Sequence, residues 1–393
     1  LRPIAPKLLF IATKATLFYD KPMKIQRGIT ANKHRDAWVE VNIGNLEHNI
    51  MEIKEMLGNV KIMAIVKADA YGHGAVMCSH TLLACGVEEL GVASIDEGIE
   101  LRNNKITAPV LVLGAAPIWA FESALKNDLA ISIFSEQHLE AAKLLYDKNG
   151  GCIKAHIKVD TGMNRIGINT DNAKEFIEKA QKAPYLKLEG IFTHFADCED
   201  KKILDMQADK FSRLIESVDT KGLTIHCSNS GTSFLNKELR CDMLRLGIVL
   251  YGLTPFCMPH KELPDLKQVI GLKGRITNIH PVKKDEGVSY GHDFHSAQDT
   301  RIATIPIGYA DGVARSLSGL IEGRLNNKAV KQVGKITMDQ MMFDINDEKA
   351  EVGDIITLLG DGLSINDWAE TLGTINYELT CRLKVRLPRI YTR

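Results

Sequence analysis

The chain has 393 residues, 45% hydrophobic and 25% charged, with 49 basic side chains balancing 49 acidic ones. That length exceeds one ordinary domain, and a formal charge of zero removes any bulk pull towards nucleic acid or a membrane surface. No apolar run approaches a membrane span, and the eight cysteines are scattered without a CxxC pair, which fits reduced thiols in a cytoplasmic enzyme better than a disulfide framework.

Residues 1–35 read as an extension, partly disordered or an over-extended start ahead of Met23-Lys24-Ile25-Gln26; Lys14 interrupts the apolar Leu8–Ala12 too soon for a signal peptide. Between Asn42 and Gly252 short apolar runs alternate with amphipathic segments. Candidate strands are Ile62–Val66, Leu90–Ile95, Val110–Leu113, Leu129–Phe134, Ile153–Val159, Leu188–Thr193, Leu223–His226 and Leu244–Leu250. The intervening helices include one with Phe211, Leu214, Ile215 and Val218 on one face and another with Leu139, Ala142 and Leu145 together. Eight such repeats predict an α/β fold, a closed (β/α)8 barrel over 43–253. An open doubly wound sheet is the alternative, but no GxGxxG turn follows the first strand. Beyond Gly252 strands follow one another without helices (Gly274–His280, Arg301–Ile307, Lys335–Ile345, Asp354–Leu359). They predict a predominantly β domain over 254–393, with one helix at Ile365–Leu372 entered through Ser364.

Chemistry is expected at the strand ends. Ile62–Val66 stops on Lys67, and a Gly72-His73-Gly74 loop follows. An amine at the carboxyl end of a buried parallel strand sits where barrels place their reactive groups, and burial favours its neutral form. A neutral amine forms Schiff bases with carbonyls, of which pyridoxal phosphate (PLP) is the commonest biological example. A strand-end lysine that simply reaches water is the structural alternative.

Further along, alternation puts Lys158 and Asp160 on one face, either as a functional pair or as a buried ion pair that sets register. His194 ends another strand, where a satisfied core histidine is the plain alternative. The run His226-Cys227-Ser228-Asn229-Ser230 offers small polar groups that can surround an anion. In Arg245-Leu246-Gly247-Ile248 the glycine lets backbone N–H groups approach a ligand. His292 and His295 lack a third ligand nearby, so no metal is expected. Arg382, Lys384, Arg386 and Arg389, alternating with Leu383, Val385 and Leu387, read as a half-exposed strand and not as a nucleic-acid stripe.

The segment Ala64-Ile65-Val66-Lys67-Ala68-Asp69-Ala70-Tyr71-Gly72-His73-Gly74 resembles the PLP-lysine signature of bacterial alanine racemases. The resemblance runs from Asp36 to Arg393 through Lys158–Gly167, Thr193-His194-Phe195, Ser228-Asn229-Ser230, Arg245–Gly252, Val288–Gly291, Ile305–Gly312, Met338-Asp339-Gln340 and Ile375–Glu378. Two departures are slight: Thr337 stands where many members have cysteine or serine, and the extension before Met23 has no counterpart.

The resemblance implies interconversion of L- and D-alanine with pyridoxal 5'-phosphate, supplying D-alanine for peptidoglycan, in a homodimer with shared active sites and no nucleic-acid or membrane partner. It also implies that strand 36–42 joins the β domain. Lys67 would carry PLP and act on one face of the substrate Cα, with Tyr290 of the partner subunit on the other. Racemisation needs two such groups. Arg245, supported by His226, would meet the pyridine nitrogen, where a fixed positive charge discourages ring protonation. Tyr71, Ser230, Gly247, Ile248 and Tyr377 would surround the phosphate, with His194 and Asn229 also at the cofactor. Arg165 and the Met338 backbone would take the substrate carboxylate, and Arg165 would also touch the cofactor's phenolic oxygen. Lys158 would carry a carbamate that holds Arg165, while Tyr309 and Tyr377 would narrow the pocket. Asp339 would make a structural hydrogen bond. A serine or broad-specificity racemase, a decarboxylase of basic amino acids and a non-catalytic PLP carrier are the alternatives.

Overall fold

The computed structural model describes residues 35–256 and 263–393; the expected extension falls almost wholly outside the described residues. Eight parallel strands stand in the order Met243–Leu246, Lys61–Ile65, Glu89–Val92, Val110–Ala115, Ala130–Ile133, Ile153–Asp160, Leu186–Phe192 and Thr224–His226. The two edge strands meet through Asp242 N–H donating to Ile225 O at 3.0 Å and Arg245 N–H to Ser228 O at 3.1 Å, so the sheet is a nearly closed barrel. Period-two alternation sends Lys158, Phe192 and His226 to one level, because they are successive partners across neighbouring strands.

The connecting helices begin on side-chain caps that follow from sequence. Ser94, Ser135 and Asp200 each accept a backbone N–H of the first turn, an interaction worth about 1 kcal/mol. In Lys201–Glu216 the residues Leu204, Phe211 and Leu214 face the barrel at helical spacing. Leu139, Ala142 and Leu145 do the same in Glu136–Asn149.

The second sheet has nine strands, mostly antiparallel, and contains the N-terminal strand Ala37–Asn42. That strand pairs antiparallel with Ile270–Arg275 and parallel with Arg389–Thr392, and it runs directly into the helix Ile43–Leu57 of the barrel. Buried apolar residues from both sheets form one continuous core, including Val39, Leu46, Met63, Leu272 and Leu387. No helix among the described residues is long and apolar enough to cross a membrane.

Several boundaries differ from the sequence reading. Gly274–His280 is two strands, Ile270–Arg275 and Asn278–Val282, with the break at Ile276-Thr277. Only Met341–Asp344 of Lys335–Ile345 is extended, because Thr337 folds a turn by bonding Gln340 through both backbone and hydroxyl. A hairpin, Glu322–Leu325 and Lys328–Val333, goes unread; its turn is Asn326-Asn327 with φ +50° and +63°. Arg382–Leu387 is not a strand. Arg382 ends the helix Asn376–Arg382, and the buried Arg389 guanidinium donates to Leu383, Lys384 and Leu387 carbonyls, holding that segment as a turn.

Candidate active site

A cavity of about 910 Å³ opens at the carboxyl ends of the barrel strands, with the segment around Ile375–Lys384 of the β domain across its mouth. Lys67 enters it two residues beyond the end of the Lys61–Ile65 strand. The backbone after it is unusual. Ala68, Asp69, Ala70 and Tyr71 all have φ of +53°, a left-handed turn that costs roughly 1–2 kcal/mol per residue for L-amino acids.

Surrounding groups hold that turn. Glu97 accepts Ala68 N–H at 2.8 Å and Ala93 N–H at 2.6 Å, and Asp69 accepts Ala75 N–H at 2.7 Å. Gly72, at φ +83°, packs its α-carbon against the Thr380 carbonyl, and its own carbonyl accepts from Arg389. A strained turn pinned at both ends fixes where the Lys67 chain begins. Burial, then the Arg165 charge, pushes the Lys67 amine below the ordinary lysine range.

Arg245 is the buried centre of the cavity floor. Its Nη1 donates to His226 Nδ1 at 3.1 Å, and its Nη2 to the carbonyls of Thr193 (2.7 Å) and Cys227 (2.8 Å), with His194 Nδ1 at 3.4 Å. A guanidinium only donates, so Nδ1 of His226 accepts and its proton sits on Nε2, aimed at His156 Nδ1 2.9 Å away. Burial lowers Arg245 to about 10, which leaves it charged at neutral pH. Burial and Arg245 together push His194 and His226 well below the usual imidazole range, so both are neutral. Phe192 stacks on His226 at 4.8 Å and lies 4.5 Å under the Lys158 Nζ.

Lys158 is buried, and burial followed by Arg245 and Arg165 drives its pKa well down. No ion pair joins it to Asp160 among the described residues. Asp160 instead accepts the N–H groups of Gly162 (2.9 Å) and Asn164 (3.1 Å), shaping the loop that carries Arg165 into the cavity.

One side of the cavity is small and polar. Ser230 Oγ accepts Gly247 N–H at 2.9 Å, Asn229 caps the turn through Thr232 N–H, and a Cβ on Gly247 would lie 2.5 Å from Tyr71 Oη. Tyr71 packs between Tyr251 and Tyr377, at centroid distances of 5.3 and 5.9 Å. The cradle fits a phosphate: it offers hydroxyls and a glycine that only a small backbone unit can fill. The half-desolvated Lys67 amine fits an aldehyde. The residues present therefore fit pyridoxal 5'-phosphate.

Lys67, Tyr71, Lys158, Arg165, His194, Asn229, Ser230, Arg245, Gly247, Ile248 and Tyr377 all line this one cavity, and His226 lies beneath it against Arg245. Tyr290, Tyr309, Met338 and Asp339 do not line it. Tyr309 and Met338 are neighbours, since Tyr309 N–H donates to Thr337 O and Ala310 N–H to Met338 O. Asp339 accepts from Arg386, which also pairs with the fully buried Asp311. Tyr290 stands 70% exposed between Ser289 at φ +70° and Gly291 at +76°. His292 and His295 have ring centroids 6.2 Å apart, and no group of three potential metal ligands is assembled among the described residues.

Sequence reasoning missed three supporting residues. Glu97 was signalled by Ser94-x-x-Glu97, a capping pattern whose carboxylate serves the Lys67 turn instead of its own helix. His156 lies two residues before Lys158 on the same strand face. Tyr251 donates to Ile65 O at 3.0 Å and stacks on His73; no local pattern marks it.

Comparison with known proteins agrees with this arrangement. Residues 41–255 match the alanine racemase N-terminal domain and residues 269–391 the alanine racemase C-terminal domain. An alanine racemase of Nostoc sp. is 38% identical over 375 residues, 90% of this chain and 95% of that protein. The structure of an alanine racemase of Clostridium difficile superposes with a TM-score of 0.87 at 37% identity, over 91% of this chain and 96% of that one. A histidine racemase of Leuconostoc mesenteroides also shares the fold, with a TM-score of 0.86 at 28% identity over 93% of this chain and all of the other. A barrel that presents a desolvated lysine above a buried arginine, joined to this β domain, thus identifies the chain as a member of the alanine racemase family.

Proposed function

We propose that the chain interconverts L- and D-alanine with pyridoxal 5'-phosphate, as a homodimer in the cytoplasm, supplying D-alanine for peptidoglycan. The observation that carries this reading is the convergence of the Lys67 amine, the Arg245 guanidinium and the Gly247 cradle on one cavity. When bound, the cofactor supplies an electron sink that makes the substrate Cα–H acidic.

The protein's own groups do the rest. Lys67 would hold the cofactor through its aldehyde and would move a proton at one face of Cα; its lowered pKa keeps a fraction of the amine free to accept that proton. The second face needs an acid/base from elsewhere, and Tyr290 of the partner subunit is assigned to it, since this chain's own Tyr290 lies outside its own cavity. Arg245, held in place by His226 and two carbonyls, would meet the ring nitrogen as a fixed cation, which would restrain the electron sink and favour clean proton return.

Tyr71, Ser230, Gly247, Ile248 and Tyr377 would hold the phosphate, with Asn229 shaping the turn and His194 also contributing to the cofactor site. Arg165 and the backbone of the partner subunit's Met338 would orient the substrate carboxylate, while the partner subunit's Tyr309 would limit side-chain size, since this chain's own Met338 and Tyr309 lie outside its cavity. A carbamate on Lys158 would place a negative charge between Arg165 and Arg245, replacing like-charge repulsion with attraction.

The test is to incubate the PLP-loaded protein with L-alanine in deuterated water and resolve the enantiomers by mass. Alanine of D configuration carrying one deuterium at Cα is expected. A bound-cofactor spectrum without any D-alanine would overturn the reaction while leaving the cofactor site, and a panel including serine and histidine would locate the substrate.

A further inference from the structure

Two thiols outside the cavity lie within reach of each other. Cys227 follows His226 at the end of its strand, and its Sγ is 3.3 Å from that of Cys241. Cys227 is fully buried, whereas Cys241 is exposed and sits at φ +51°, just ahead of the strand that carries Arg245. Neither lines the cavity. Both are nevertheless tied to its floor. The Cys227 carbonyl accepts from Arg245 Nη2 at 2.8 Å, and the Leu239 carbonyl takes both the Cys227 thiol (3.0 Å) and the Ser228 hydroxyl. The segment between the two sulfurs carries Asn229 and Ser230.

We propose that Cys227 and Cys241 are an oxidisable dithiol that closes to an intramolecular disulfide under hydrogen peroxide and, in closing, displaces Arg245 and the Ser230 turn. The exposed Cys241 sulfur is the one the oxidant reaches, and its contact with the Cys227 sulfur 3.3 Å away holds its pKa below the ordinary thiol range. Its thiolate attacks the peroxide O–O bond, forming a sulfenic acid and, with one proton, water. Cys227 then attacks that sulfur, forming the S–S bond and releasing a second water. Two thiols are oxidised and one peroxide is reduced.

The new bond is about 2.05 Å long, so the sulfurs must approach by more than an ångström. Closure also removes the thiol proton from Leu239 O. The displacement falls on residues that border the cavity, and its functional half rests on the cofactor site proposed above.

The PLP-loaded protein is treated with hydrogen peroxide, and non-reduced tryptic peptides are mapped; Lys237 and Arg240 allow cleavage between the two cysteines. The expected product is a 227–241 cross-link two hydrogens lighter, with a roughly tenfold fall in activity and a change in bound-cofactor absorbance. Dithiothreitol should reverse all three, and Cys241→Ser, fully active beforehand, should show none. A missing cross-link overturns the proposal, as does a cross-link that leaves both activity and absorbance unchanged. Inactivation that persists in Cys241→Ser also overturns it and assigns the damage to the cavity thiols Cys198 or Cys381. Should the untreated protein not racemise alanine, the functional reading fails separately, while the cross-link and the absorbance still decide this proposal.

Discussion

Lys67, Lys158 and Arg245 converge inside the barrel mouth, each anchored by its own strand end and surrounded by protein. Tyr290, Tyr309 and Met338 stand on the β domain 70%, 41% and 53% exposed. The first group is assembled by folding of one chain, since the parallel register that places Lys158 beside Phe192 and His226 also forms the barrel. The second group is presented outwards on backbone fixed by Ser289, Gly291 and the Asp311 ion pairs. A barrel end can hold a cofactor by itself; a rim of exposed side chains acts only on something brought to it.

Removing Lys67 tests the barrel side most severely. Lys67→Ala is expected to lower racemisation by about 10⁴-fold and to abolish the covalently bound cofactor spectrum, checked by chiral chromatography and absorbance. Tyr290→Phe should lower the rate by about 10³-fold while leaving that spectrum unchanged. Mixing the two inactive variants sharpens the contrast. With sites shared across a dimer, subunit exchange should restore about a quarter of wild-type activity. No recovery once subunits have exchanged would place Tyr290 in the site of its own subunit.

The barrel interior also carries a pH signature. Burial holds His156 and His73 down at about 4, against 6.5 in an unfolded chain. Between those values the unfolded state binds more protons, so stability is complete above pH 6.5 and falls as pH drops towards 4, by roughly 3 kcal/mol per group. The unfolding midpoint in urea from pH 7.5 to 5 should follow this slope, and His156→Gln should flatten it. On the rim, Asp311→Ala strips the buried partner of Arg35 and Arg386 and should cost about 3 kcal/mol of stability. Met338→Ala leaves the backbone in place and should change KM for alanine by no more than about threefold.

Much of this was legible because barrel chemistry clusters at strand ends. Lys67, Arg245 and the His226–Ser230 run could be located from hydrophobic runs that stop on polar residues, although the roles assigned to them came from family resemblance. The four left-handed residues after Lys67 were not legible, since Ala68, Ala70 and Tyr71 disfavour positive φ and Asp69 alone does not mark such a run. Tertiary bonds from Glu97 and Arg389 impose that shape. Register-dependent partners such as His156 also escape a linear reading. The hairpin at Asn326-Asn327 was legible in principle, because paired asparagines tolerate positive φ, but its strands lack the apolar alternation that marks the others.

The cavity lining holds six basic side chains, Lys67, Lys158, Arg165, Arg245, Arg382 and Lys384, against one carboxylate, Glu378. On a chain of zero formal charge this is a local and directional imbalance. Low-dielectric walls focus such a field outwards, so the mouth works as an electrostatic funnel for phosphate-bearing ligands. Cofactor loading should therefore slow steeply with ionic strength, because screening acts on the approach through solvent. Release should be much less sensitive, because the contacts that hold the ligand lie inside the barrel, beyond the reach of salt.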